Sequence, residues 1–112
     1  MDRLAKYRNS IRTVLENYHK LNTQSDSQTE SALVFDEVHE HYLLLLMGWN
    51  GDERIKSMMI HVRIKDEKIW IEEDWTEAGV ATDLLDEGIQ REEIVLAFHP
   101  PQVRQYTEFS AA

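Results

Sequence analysis

The sequence predicts an α+β fold: an N-terminal helix, an antiparallel sheet of about four to five strands, and a C-terminal helix. Three observations predict it. Apolar residues recur every three or four positions from Leu4 to Leu21. Short apolar or alternating runs, parted by tight turn signals, fill the middle of the chain. Helical spacing returns after Thr76. The 112 residues are the size of one ordinary domain, so 1–112 reads as a single domain with a core of its own.

The first helix is carried by Leu4, Tyr7, Ile11, Val14, Tyr18 and Leu21, widened by Leu15, with charged residues on the opposite face. Asp2 is placed to cap it. The polar stretch 22–31 (NTQSDSQTES) has no periodicity and reads as a linker between two elements of the same domain. Residues 32–38 form the first strand. Residues 41–49 form the second, apolar on both faces and therefore expected near the centre of the sheet. Asn50-Gly51-Asp52 is a turn. The third strand, about 54–65, sends Met58, Ile60, Val62 and Ile64 one way and Met59, His61, Arg63 and Lys65 the other. A tight Asp66-Glu67 turn leads to the fourth, 68–72. Short turns between neighbours make these strands antiparallel.

The next helix takes Thr76 as N-cap and Glu77 in its first turn. Val80, Ala81, Leu84 and Leu85 are its apolar face, and Gly88 its C-terminal glycine. Residues 94–98 (IVLAF) are a short strand or buried extended segment, stopped by Pro100-Pro101. The tail from Gln102 is compatible with one helical turn at its start.

Composition removes several chemistries. There is no cysteine, hence no disulfide, thiolate metal site or thiol nucleophile, and a reducing, cytoplasmic setting fits. The N-terminus opens on a charged amphipathic pattern without an apolar signal core, and no apolar run is long enough to span a membrane. Net charge is −9, unevenly placed. Residues 1–22 hold Arg3, Lys6, Arg8, Arg12 and Lys20 against Asp2 and Glu16, a net +3, which leaves −12 on the remaining 90. That larger part repels a phosphate backbone.

No glycine-rich phosphate loop, HExxH or nucleophile elbow occurs. The best metal candidate is Glu37, His39 and His41, which would share one face of an extended strand, but a polar turn between strands explains the same residues more simply. His61 reads as a hydrogen-bonded sheet histidine and His99 as part of a rigid His-Pro-Pro corner. Glu72, Glu73, Asp74 and Glu77 could hold a cation or meet a basic partner, with a solvated strand end as the ordinary reading. Lys68 with Glu72 has a nuclease-like pairing that arises often by chance. No catalytic, cofactor or metal residue is assigned.

An ordered series of residues goes further. It runs His41-Tyr42, Gly48-Trp49, Lys68-Ile69-Trp70-Ile71, Asp74-x-Thr76-Glu77-x-Gly79-Val80-Ala81, Ile94 through His99-Pro100-Pro101, Arg104 and Thr107-Glu108-Phe109. With Lys6-Tyr7-Arg8 upstream, the series resembles the XisI family, the excision controlling factors of the fdxN element in cyanobacteria. It departs from that pattern at Glu67, where glycine is usual, and at Gln90, where proline is common. The resemblance implies a part in site-specific DNA rearrangement beside a recombinase and a nuclease-like companion, XisH. It supplies no catalytic residues to transfer.

The expected function is therefore a non-catalytic controlling factor that acts by protein contact, its DNA contact indirect. Glu72, Glu73, Asp74 and Glu77 are its candidate partner-binding residues and exposed aromatics its anchors. Direct DNA binding by Arg3, Lys6, Arg8 and Arg12 is the alternative, and a metal-dependent enzyme a more distant one. A second strand apolar on both faces, served by two helices, also predicts a homodimer.

Overall fold

The computed structural model describes residues 2–24 and 29–112. Helix α1 (Arg3–Thr23) starts where Asp2 Oδ1 accepts the Leu4 amide proton at 3.0 Å. Its stripe buries Tyr7, Ile11, Val14 and Leu15, while Leu21 at the far end is 63% exposed. Five strands follow: β1 (Thr29–Asp36), β2 (His41–Asn50), β3 (Glu53–Lys65), β4 (Lys68–Asp74) and β5 (Ile94–Leu96). They lie side by side in chain order in one sheet. Helix α2 (Val80–Asp86) crosses from β4 to β5, a one-turn 3-10 helix (Arg91–Glu93) precedes β5, and helix α3 (Pro101–Arg104) follows it.

The first four strands pair antiparallel, as short turns require. The fifth joins β4 in parallel. A helical crossover reverses the chain once more and so brings β5 in with the direction of β4. Beyond it, Ser110 bridges Val95 and adds a last short edge.

The predicted linker 22–31 is too long. Asn22 and Thr23 complete α1, and Thr29 to Ser31 open β1, where pairing against Gly48, Met47 and Leu46 of the long second strand draws polar residues into the ladder. The middle of that linker, 25–28, lies outside the described residues. The first strand ends at Asp36, two residues early, because the Asp36 carboxylate accepts the Val38 and His39 amides and turns the chain. The fourth strand runs on to Asp74 past a bulge at Glu72.

Helices α1 and α2 pack on one face of the sheet. Tyr42, Leu44, Ile60, Val62, Ile69, Ile71 and Ile94 meet Tyr7, Ile11, Val14, Leu15, Val80 and Leu84 there. Phe35 and Leu33 join this core from β1. By strand alternation Val34, Leu43 and Leu45 are directed to the opposite face, where they are only half-buried or exposed.

Candidate partner-binding surface

The candidate carboxylates lie at the end of β4 and in the loop to α2. Three of the four are already engaged. Arg63 Nε donates to Glu72 Oε2 at 2.8 Å, across the bulge. The Trp75 indole donates to Glu73 Oε2 at 2.8 Å. Asp74 is bound by the chain's own donors: Oδ1 accepts the Thr76 amide at 2.9 Å and the Thr76 hydroxyl at 2.6 Å, and Oδ2 accepts the Val80 amide at 2.7 Å. Glu77 alone points into solvent without a described contact. Asp74 thus performs the capping expected of Thr76. The helix starts at Val80 with Gly79 as N-cap, and Thr76 Oγ1 accepts the Gly79 amide at 3.0 Å. Gly79 sits at φ +90°, which glycine adopts without a Cβ penalty.

Around this strand end Glu72, Glu73, Asp74, Trp75 and Phe98 line an open groove of about 490 Å³. Trp75 is 73% exposed and Phe98 48%. The sequence does not show which aromatic residues are exposed, and the structure identifies these two beside the carboxylates. Trp75 was identifiable only as an indole next to a strand end, and Phe98 looked like core.

A second group of family-motif residues forms the joint after β5. Arg104 donates through Nε to His99 O at 2.9 Å and through Nη2 to Ala97 O at 3.1 Å. Its guanidinium lies 5.5 Å from the centre of the Trp70 ring, which also has Lys65 at 4.9 Å and Arg63 at 5.9 Å. Trp70 is 8% exposed and donates to Lys65 O at 2.9 Å. Pro100 and Pro101 start α3, with Pro101 at the helical position where a missing amide proton costs nothing. His99 lies against Phe98, ring centres 4.6 Å apart. Gly48 and Trp49 lie away from these joints, near the β2–β3 turn, where Arg54 stacks on Trp49 at 5.2 Å.

The basic strip on α1 is likewise spent inside the molecule. Arg8 Nε lies 3.0 and 3.3 Å from the two carboxylate oxygens of Glu40, its Nη2 also bonds Glu40, and Arg12 pairs with Glu37. Tyr42 OH donates to Glu40 Oε2 at 2.6 Å. Burial alone would raise the Glu40 carboxyl, but the Arg8 and Tyr42 donors outweigh it and hold the group below its usual range. Lys6 donates to Gly88 O at 3.3 Å. Tyr7, Tyr18 and Tyr42 are each pushed up to about 12, chiefly by burial and then by a bonded carboxylate, so none is poised as a base.

The residues of the metal candidate do not meet. Glu37 faces Arg12, His39 binds the Asp36 carboxylate at 2.8 Å, and His41 turns to His61, with Nδ1 3.0 Å from its Nε2. Among the described residues no three such side chains converge on a common point. Lys68 does not pair with Glu72; it donates to Ser110 Oγ and Ala112 O at 2.6 and 2.7 Å. Among the described residues no helix is long and apolar enough to cross a membrane.

Comparison with known proteins gives a consistent result. The family model described as XisI protein matches residues 1–111. The crystal structure of fdxN element excision controlling factor XisI from Anabaena variabilis ATCC 29413 aligns at 35% identity with a TM-score of 0.86, covering 99% of this chain and 100% of that one. That of a XisI-like protein from the same organism aligns at 38% identity with a TM-score of 0.88, covering 97% and 99%. A search of curated proteins finds no match.

Proposed function

The chain belongs to the XisI family, and from that premise we propose that it is a non-catalytic controlling factor for excision of a DNA element by site-specific recombination. It acts by docking on a protein partner, an XisH-like nuclease-fold protein or the recombinase itself, and touches DNA through that partner. The observation that supports this reading is the acidic, aromatic groove at the end of β4, set against an α1 whose Arg8 and Arg12 are already paired. Proteins that process DNA carry basic surfaces, and a groove with Glu72, Glu73 and exposed Trp75 complements such a surface in charge and supplies an anchor. Glu77, exposed beside it, adds to the field, while Asp74 shapes the loop that presents it.

The test is co-purification with an XisH-like protein over a salt series. A complex is expected at low salt, weakening as salt rises, and weakened at least tenfold by Trp75→Ala or by Glu73→Lys with Glu77→Lys. No complex at low salt would sink the reading. A gel shift with the chain alone separates it from direct DNA binding, for which no shift is expected.

A further inference from the structure

We infer that a second copy of this chain covers the open face of the sheet, so that the molecule is a homodimer joined through β1, β2 and β3. Both larger helices lie on the other face. The open face is apolar where a lone monomer would be polar. Pairing puts Val34, Leu43 and His61 in one row, Ala32, Leu45 and Met58 in the next, and Met47 beyond. A bulge at Met59 in β3 turns Met58, expected on the side of Ile60, to this face and packs Met59 against the core instead. Val34 is 43% exposed and the others are only partly buried.

Charge selects the occupant. Over the rest of its surface this chain, at −9, repels its own copies. Across β1, β2 and β3 the two central rows carry no carboxylate and no fixed cation; the first meets one, Glu73, only on β4 beyond His61. The flanking rows balance: Glu30 shares a row with Lys56, and Asp36 with Arg63. This is the face on which two copies can approach without repulsion. A basic partner gains nothing here and is drawn to the acidic groove instead. Area agrees. The chain exposes 7060 Å², where a compact monomer of its 13.2 kDa exposes about 6,400 Å². The surplus approaches the roughly 800 Å² that each partner gives to a standard interface.

Light scattering across a concentration series tests it. The wild type is expected at twice 13.2 kDa, and Val34→Asp and Met58→Lys at the monomer mass with unchanged circular dichroism. Glu77→Lys, in the acidic loop, should leave the dimer intact. A wild type that stays monomeric, or a folded Val34→Asp that stays dimeric, overturns the inference. So does a dimer that Glu77→Lys splits and Val34→Asp does not. Should both face variants fail to fold, methionine-methyl spectra of the wild type with a soluble paramagnetic agent decide. Met47 and Met58 should lose solvent relaxation as concentration rises, and unchanged relaxation refutes the dimer.

Discussion

Asp74 shows how one side chain can fix the shape of a loop and of the elements on either side of it. Its two oxygens take three donors, from Thr76 and Val80, and so fix both the end of β4 and the start of α2. Removing it leaves those donors without their acceptor at once. Asp74→Ala should therefore cost about 2–3 kcal/mol, the upper range for a cap with charge-assisted bonds. Asp74→Asn, which keeps one acceptor oxygen, should cost less. Urea titration measures both, and a loss below about 0.5 kcal/mol for the alanine variant would contradict the assignment. His61 makes a separate prediction. Burial, and next the charge of His41, hold its imidazole below the usual 6.5. A histidine whose folded pKa is depressed binds fewer protons folded than unfolded as pH falls past 6.5. Stability is then fully present above 6.5 and declines with falling pH until the lowered folded pKa is passed. The slope of urea stability between pH 6.5 and 5 should flatten in His61→Gln, whose side chain has no charge to gain. An identical slope in variant and wild type would remove His61 as the cause.

At the level of the element, the β3–β4 turn carries strain that the sequence itself discloses. Asp66 and Glu67 sit at φ +51° and +61°, the left-handed pair that a two-residue hairpin demands. Left-handed φ costs a non-glycine residue about 1–2 kcal/mol, and glycine recovers most of that less its greater loss of entropy. Glu67→Gly should thus raise stability by about 0.5–1 kcal/mol. The Tyr7 hydroxyl bond survives, because it goes to the Glu67 backbone oxygen at 3.2 Å. A lower urea midpoint would show that the Glu67 side chain contributes more than its backbone strain costs. The same scale explains what the sequence could disclose of the fold. Periodicity located α1 and the four antiparallel strands, since Tyr7, Ile11, Val14 and Leu15 or Tyr42, Leu44, Ile60 and Val62 alternate at the period of their element. Boundaries failed where partners decided them. Thr29 and Glu30 are polar residues held in a strand by the ladder with Gly48 and Met47, and α2 starts late because Asp74 reaches six residues ahead to Val80. The acidic cluster was legible as a run of carboxylates. Its division into paired Glu72, Trp-bound Glu73, backbone-bound Asp74 and free-facing Glu77 was not, because the partner of Glu72 lies on β3 and the bonds to Glu73 and Asp74 depend on how the loop after β4 folds back.

Across the whole molecule the sheet and α1 form one core, and this sets how the chain should unfold. Ile11 is fully buried between α1 and the strands, beside Tyr7, Val14 and Leu15. Truncating it to alanine removes methylene contacts and leaves a cavity, at a cost of about 3 kcal/mol. A domain of this size has roughly 5–15 kcal/mol in total, so the variant gives up a large share of its stability through a single residue on the first helix. Arg8 and Arg12 tie the same helix to Glu40 and Glu37 at the β1–β2 turn, and Tyr18 bonds Asp83 of α2, so its docking is linked to both ends of the sheet layer. If the helix were an appendage, its helical signal would melt at lower urea than the fluorescence of Trp70, the buried one of the three tryptophans. If it completes the core, both signals must fall together and the slope of stability against urea must keep its wild-type value. Coincident transitions, shifted to lower urea with an unchanged slope, are expected for Ile11→Ala. Two separated transitions would mean that the sheet holds its face against α2 alone and that the first helix only rests on it.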